Sequence, residues 1–316
     1  MVVVVRQMLD ETERRIVSVL LASPRASWRA VGAELGISER TVVRRALPLF
    51  QDGTLRATVV RNPMHFPGLI PMSLRIRCQP NRIRAVASVL ARRPDTIAVD
   101  IIGGGDEICV QFMLADAEAR NLLLLRDLPA TAAVESWTSY TMLRVFPAAF
   151  LWNGQPVKPR FLAGRPVPPS HHDIDAALIA ALVLDGRASY TDLAVHADTS
   201  PITARRRLDA LVQAASLRLA IEVDLALLGI HGEALLWLDV APGELNATGE
   251  ALSQHPLVRF VAATTGQANL LVSVAAADLG GLYGFLTGGA VDRSIGTEVT
   301  PILTTVKRTG LIRPGV

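Results

Sequence analysis

The chain contains itself twice, and that repeat limits what it can fold into more than any other feature. Residues 25–56, RASWRAVGAELGISERTVVRRALPLFQDGTLR, lie over residues 187–218, RASYTDLAVHADTSPITARRRLDALVQAASLR, when the sequence is slid by 162 positions; 11 of 32 positions are identical and no gap is needed. The apolar positions agree even where residues differ: Val42, Ala46, Leu49 and Phe50 answer Ala204, Leu208, Leu211 and Val212. Their spacing (i, i+4, i+7, i+8) puts one buried stripe on a helix. Ser38 and Ser200 are good N-caps for that helix, and Pro201 takes the first helical position, where no N–H partner is lost. A shorter apolar pattern precedes each (Trp28, Val31, Leu35; Tyr190, Leu193, Ala197), followed by a tight turn that holds Gly36 in the first copy. Two helices joined so closely, with arginines on the exposed face of the second, describe a helix-turn-helix. The competing reading is a plain helical hairpin with solvated arginines. Thr41/Thr203, Arg44/Arg206 and Arg45/Arg207, kept at matching positions of both copies, weigh against it.

A chain of 316 residues that is 50% apolar has material for two or more packed domains. Its net charge is only +3, but Lys158 and Lys307 are the only lysines, so arginine supplies nearly all of the basic side chains. Arginine is a bidentate donor suited to phosphate and guanine. The repeated stretch is locally positive, with six Arg against three acids in 25–56 and five against three in 187–218. Cys78 and Cys109 fall in strand-like apolar runs, which predicts buried free thiols and no disulfide framework. The opening MVVVVRQ is too short for a signal peptide, and no run reaches the roughly 18 apolar residues of a membrane span. These features predict a soluble, cytoplasmic protein with no membrane partner.

Residues 9–22 have helical periodicity through Ile16, Val19 and Leu20, and Asp173 reads as the cap of the matching helix over 173–184. Gly53 ends the second helix of the pair in copy one, Pro48 inside it should kink or shorten its last turn, and LRATVV (55–60) reads as a strand or wing. From residue 69 the pattern becomes strand (69–78), helix (81–93), strand (96–102), strand (107–114), helix (116–128), strand (134–146). Gly103, Gly104, Gly105 and Asp106 separate the middle strands as a hairpin turn. The order βαββαβ is ferredoxin-like. Six prolines between 147 and 170 mark a semi-extended linker. The same order then returns, with strands at 233–240, 257–264, 268–275 and 297–306. The expected fold is therefore α+β: two winged helix-turn-helix domains, each followed by a βαββαβ domain. The boundaries are 1–60, 61–146, a linker at 147–170, then 171–220 and 221–316.

On these residues the chain resembles the Lrp/AsnC (feast/famine) family of transcriptional regulators. LDETERRIV and HDIDAALIA look like that family's opening helix, and ISERTVVRR and TSPITARRR like its LSxxTVxRR recognition-helix entry. The resemblance implies a regulator of double-stranded DNA with a sensor domain for a small effector, an amino acid among the candidates. It also implies a homo-oligomer whose sensor domains pair within the chain or between chains. No cofactor and no metal are expected. The DNA-reading residues would be Ser38, Glu39, Arg40, Thr41, Val43, Arg44 and Arg45, with Ser200, Pro201, Ile202, Thr203, Arg205, Arg206 and Arg207 in the second copy. The family's G-x-x-D sensor turn corresponds to Gly104-Gly105-Asp106-Glu107 and to Gly266-Gln267-Ala268-Asn269, and neither ends in Asp. The effector would then sit by Gly103, Gly104, Gly105, Asp106 and Glu107, and by Thr264, Thr265, Gly266, Gln267 and Asn269.

Other chemistry is less well served. The glycine triplet lacks the helix and lysine that follow in a phosphate loop. His171-His172 is an adjacent pair unsuited to one-faced metal ligation. No Ser/His/Asp set or Cys/His pair can be assembled. The enzyme alternative is a siroheme decarboxylase, a class that resembles the same regulator fold in two related units. RNPMHFPG offers it Arg61 and His65, but the second copy has IEVDLALLG there, with no His.

Overall fold

In the computed structural model, residues 8–146, 170 and 172–313 are described. The proline-rich linker and His171 lie, Ser170 apart, outside the described residues. Helix α1 (Glu11–Ala22) starts on a capping box, with Asp10 accepting from the Glu13 N–H and Glu13 returning the bond to the Asp10 N–H. Helices α2 (Trp28–Leu35) and α3 (Glu39–Gln51) follow, then strand β1 (Leu55–Arg61). The first βαββαβ set comprises β2 (Ile70–Cys78), α4 (Ile83–Arg92), β3 (Thr96–Ile102), β4 (Glu107–Leu114), α5 (Ala117–Leu122) and β5 (Val134–Val145). The helix expected over 116–128 is there, but its second half, Leu123–Asp127, is wound as π-helix. Pro48 does not shorten α3: the helix runs on to Gln51, and Asp52 N–H still bonds the Pro48 carbonyl at 2.9 Å. Proline removes one donor, to Arg44, and leaves the remaining carbonyls usable.

The second copy repeats the order: α6 (Asp175–Leu184), α7 (Tyr190–His196), α8 (Pro201–Gln213), β6 (Leu217–Val223), β7 (Gly232–Val240), α9 (Leu245–Ser253), β8 (Val258–Thr264), β9 (Leu270–Ala276), α10 (Leu279–Thr287), β10 (Ser294–Arg308) and the short β11 (Leu311–Ile312). Asp173 does not cap α6. The helix starts two residues later, and the Asp175 carboxylate takes the His172 N–H instead.

The chain divides into two compact units, and each half of the sequence contributes to both. The first unit gathers the two helix-turn-helix segments. The core of the first segment joins Ile16, Leu20, Val31, Val42, Ala46 and Leu49 to Leu55 and Ala57 of β1, and also to Ile221 and Val223 of β6. The expected wing is thus no free hairpin. It is a single strand that pairs antiparallel with its counterpart, from Leu55↔Val223 to Arg61↔Leu217. Thr58 faces Ala220, its own repeat partner, so a local two-fold axis passes through that pair.

The second unit gathers both βαββαβ sets. Its strands run β10-β3-β4-β2-β5-β8-β9-β7, and β7 pairs back onto β10, so the sheet closes on itself. The long strands make the seams. β5 pairs with β2 along Val134–Thr141, then with β8 from Met142 to Val145. β10 pairs with β7 over Ser294–Pro301 and with β3 from Ile302. Alternation sends Met72, Leu74, Ile76 and Cys78 of β2 to one helix-covered core and Ala234, Leu236, Leu238 and Val240 of β7 to another. The opposite faces meet in a third cluster, drawn from both copies, of Ile102, Cys109, Tyr140, Leu235, Trp237 and Leu271. Both cysteines are buried and free, as expected.

Candidate nucleic-acid interface and sensor turns

The recognition helices α3 and α8 start alike in atomic detail. Ser38 Oγ accepts the Thr41 N–H at 3.1 Å and lies 2.9 Å from Thr41 Oγ1; Ser200 and Thr203 repeat both distances. The four hydroxyls therefore serve the caps first. Past the caps, Glu39, Arg40 and Arg44 of α3 are exposed, and so are Pro201, Ile202, Arg205 and Arg206 of α8; Val43 is half-buried. The stripe of Val42, Ala46 and Leu49, like that of Ala204, Leu208 and Leu211, is buried on the other side.

Two arginines of the expected set have structural partners. Arg207 binds both Asp175 oxygens at 2.6 Å and the Ser170 carbonyl, with its side chain 13% and that of Asp175 7% exposed. The hydrogen bonds it donates to Asp175 outweigh burial and raise the guanidinium pKa further. Arg45 pairs with Asp10 at 2.9 Å in a half-exposed bridge. Arg207 thus ties α8 to the start of α6 and leaves the DNA-reading set, while Arg45 does the same for α1 less tightly. Both positions lie one residue past the exposed Arg44 and Arg206, and a 100° step on the helix turns them from solvent to a neighbour.

A pair that sequence reasoning missed joins the two helix-turn-helix segments. Arg25 donates to the carbonyls of Gly186 and Ala188, and Arg187 to those of Pro24 and Ala26. Arg187 lies over the Trp28 ring at 4.2 Å and Arg25 over the Tyr190 ring at 4.9 Å. Every one of these contacts maps onto the other under the 162-residue shift. Burial, and then Arg25 nearby, lower the Arg187 pKa. The signal was legible: Arg-Ala-Ser at 25–27 and 187–189 is the longest identical run in the repeat at its start.

The sensor turns differ from one another. In copy one, Gly103 and Gly105 take φ of +63° and +88°, and Gly103 N–H bonds the Pro301 carbonyl of β10. Arg77 holds Asp106 and Glu107 at 3.0 and 2.9 Å, and Arg75 holds Glu107 at 2.6 Å and Glu298 at 2.8 Å. Burial alone would raise the Glu107 pKa, but the two arginines hold it below the usual carboxylate range. Gly104 is exposed. In copy two, Thr264 is buried and donates to the Ala268 carbonyl, and Asn269 bridges the N–H and carbonyl of Val240. Thr265 bonds Thr141 of β5 through both its N–H and its hydroxyl, and Gly266 packs against the Tyr140 ring. Gln267 is exposed. Thr264 and Asn269 thus brace the turn through backbone partners.

Residues 9–47 and again 173–212 match the AsnC-type helix-turn-helix domain, and residues 233–312 match the Lrp/AsnC ligand binding domain. The chain belongs to the Lrp/AsnC family. An uncharacterized HTH-type transcriptional regulator of Pyrococcus abyssi is 28% identical over 129 residues, which is 40% of this chain and 82% of that one. The HTH-type transcriptional regulator Ptr1 of Methanocaldococcus jannaschii is 26% identical over 143 residues, 44% of this chain and 95% of Ptr1. These relatives match less than half of this Lrp/AsnC chain because it carries the unit twice. The siroheme decarboxylase NirDL has a similar fold across 94% of this chain and 93% of its own, at a TM-score of 0.59 and 10% identity. That likeness is one of fold. Arg61 ends β1 and His65 lies in a single 3-10 turn, Pro63–His65, and burial lowers the pKa of each. The residue at the His65 position of the second copy is Leu227. Among the described residues no helix is long and apolar enough to cross a membrane.

Proposed function

We propose that a single chain of this protein binds double-stranded DNA through both recognition helices, and that its closed sensor sheet binds a small effector and not a substrate. The observation that carries this reading is the reciprocal clamp of Arg25 and Arg187. It joins two helix-turn-helix segments with exposed arginines into one body, as a dimer of single-unit regulators would join two chains. Arg40, Arg44, Arg205 and Arg206 are the base- and phosphate-reading arginines, since the N-terminal residues of a recognition helix meet base edges in the major groove. Such a regulator works in the cytoplasm, where the chromosome is. Arg44→Ala with Arg206→Ala is expected to abolish specific binding and leave the fold intact, because both side chains are exposed. An unchanged footprint in the double variant would overturn the reading.

The effector is assigned to the copy-one turn around Gly104 to Glu107, where glycine backbone is open to close approach; an amino acid is the candidate class. A thermal-shift screen against the amino acids tests it. A shift with one or a few is expected, and a flat response with intact protein removes amino acids. The second reading, decarboxylation of a siroheme-like tetrapyrrole, is favoured only by the fold shared with NirDL. A porphyrin absorbance band in the purified protein, or one gained on adding iron-porphyrin, would replace the regulator reading by this one.

A further inference from the structure

The two recognition helices share a backbone frame and an arginine, yet two of their reading positions are exchanged. Matching caps place α3 and α8 residues in register, so a side chain at one position has its counterpart 162 residues on. Arg44 and Arg206 are the common element. Beside it, Arg40 and Val43 of α3 stand where α8 has Ile202 and Arg205. The cation and the aliphatic side chain have traded places across one i, i+3 step, about 4.5 Å along the helix axis. Ile202 is 81% exposed, and the Arg205 side chain is 68% exposed. An isoleucine this open at the leading end of α8 leaves most of its apolar surface in solvent.

The major groove offers a matching contrast. Guanine presents N7 and O6 to a bidentate arginine, and thymine presents a C5-methyl group to an aliphatic side chain. A helix with Arg first and Val three residues later selects guanine then thymine. A helix with Ile first and Arg three residues later selects them in the reverse order. We propose that this chain reads a non-palindromic operator, in which guanine and thymine exchange places between the half-site under α3 and the half-site under α8. The inference rests on the DNA-binding reading above and goes past it, since a regulator assembled from two identical chains has identical helices and reads a palindrome. Here the asymmetry is covalent, so the operator has a direction, and the bound chain can face only one way along the DNA.

The test is selection of the intact chain against a random DNA library, followed by the same selection with two variants. The wild-type consensus is expected to have unlike halves that differ at two positions. Ile202→Arg with Arg205→Val gives α8 the α3 residues at these two positions, and the consensus should become palindromic at the two exchanged bases. Arg40→Ile with Val43→Arg should yield the other palindrome. On fixed duplexes, the wild type should prefer its own operator to either palindrome by about tenfold or more per exchanged base. A palindromic wild-type consensus, or the same consensus from all three proteins, would overturn the inference while leaving DNA binding in place. No enriched sequence from any of them would overturn the DNA-binding reading as well.

Discussion

The two pairings inside this chain use the same repeat and treat it differently. Where the helix-turn-helix segments meet, symmetry is kept atom for atom: Arg25 and Arg187 exchange the same bonds, Trp28 and Tyr190 take the same place beneath them, and β1 meets β6 about Thr58 and Ala220. Where the sensor sets meet, symmetry is broken. Arg75 lies 5.1 Å over the ring of Trp237, its own repeat partner. Asp100, Glu233 and Arg259 form a buried network with Thr305 and Arg308, and the repeat places Ala262, Pro71 and Ile97 on the opposite side. Burial raises the Asp100 pKa against the pull of Arg308 and Thr305.

The connection into the last strand is also two residues shorter in the second copy. Met142 pairs with Thr264 and Val145 with Ala262, but Ile302 pairs with Ile102 and Thr305 with Asp100. β10 therefore matches β5 at an offset of 160 and not 162. A length change of two residues keeps every side chain on its face, where a change of one would not. Two-fold DNA asks for two helices at a fixed spacing, and that half has kept its symmetry. The pairing of the two sensor sets meets no such demand, and that half has diverged.

The largest effect should come from breaking the symmetric pairing. Arg25→Ala or Arg187→Ala alone removes two charge-assisted hydrogen bonds and should cost about 3 kcal/mol. Equal losses from the two, measured by denaturant unfolding, are the mark of a symmetric interface. The double variant should lose specific DNA binding and should cost more than the sum, since each single change already relieves a repulsion between the two cations that can be relieved only once.

Next come the two arginines behind the recognition helices. Arg207→Ala removes the guanidinium from the buried Asp175 carboxylate and should cost about 3 kcal/mol. Arg45→Ala opens a half-exposed bridge and should cost about 0.5 kcal/mol. Equal costs would show that the two copies are equally tied and that the closer pairing of Arg207 carries no added stability.

The sensor half can be probed through a size exchange. Gly249 lies under the Phe146 ring, so close that an added Cβ would stand 2.1 Å from Cζ. Ala87 holds the matching position in a core that contains the smaller Val306. Gly249→Ala should destabilise by about 2 kcal/mol, and Phe146→Val should recover part of that loss in the double variant. No recovery would mean that the two seams are not volume-compensated versions of one design.

The smallest effect should be a gain. Gly36 and Gly53 of copy one have φ of +70° and +78°, and their counterparts Asp198 and Ala215 adopt +45° and +53°. Alanine is strained there and glycine is not. Ala215→Gly should stabilise by about 0.5–1 kcal/mol after the added freedom of the unfolded chain is subtracted. Asp198→Gly should gain less, because Asp tolerates the left-handed region. A loss of thermal stability in Ala215→Gly would refute the strain.

Local signals made much of this legible. The caps at Ser38 and Ser200, the stripe through Val42 and Ala46, and the glycines at 103–105 act within one turn or one hairpin, and each stands where it was expected. The exposure of Arg44 and Arg206 was legible from the helical stripe, but the pairing of Arg207 with Asp175, 32 residues back, was not. The bracing by Asn269 was not legible for the same reason, since only the folded turn brings it to Val240.

By itself the sequence determined that there are two copies, where most elements begin and end, and which face of each is apolar. β1 and β6 occupy matching positions, Leu55–Arg61 and Leu217–Val223, because the pattern that makes a strand repeats with the residues. The tertiary structure decided which strand edge meets which. It joined β1 to β6 and split β5 and β10 between two partners each. The reason is physical. A strand edge is a row of N–H and C=O groups that every sequence shares, so its partner is chosen by the packing of side chains far away in the chain.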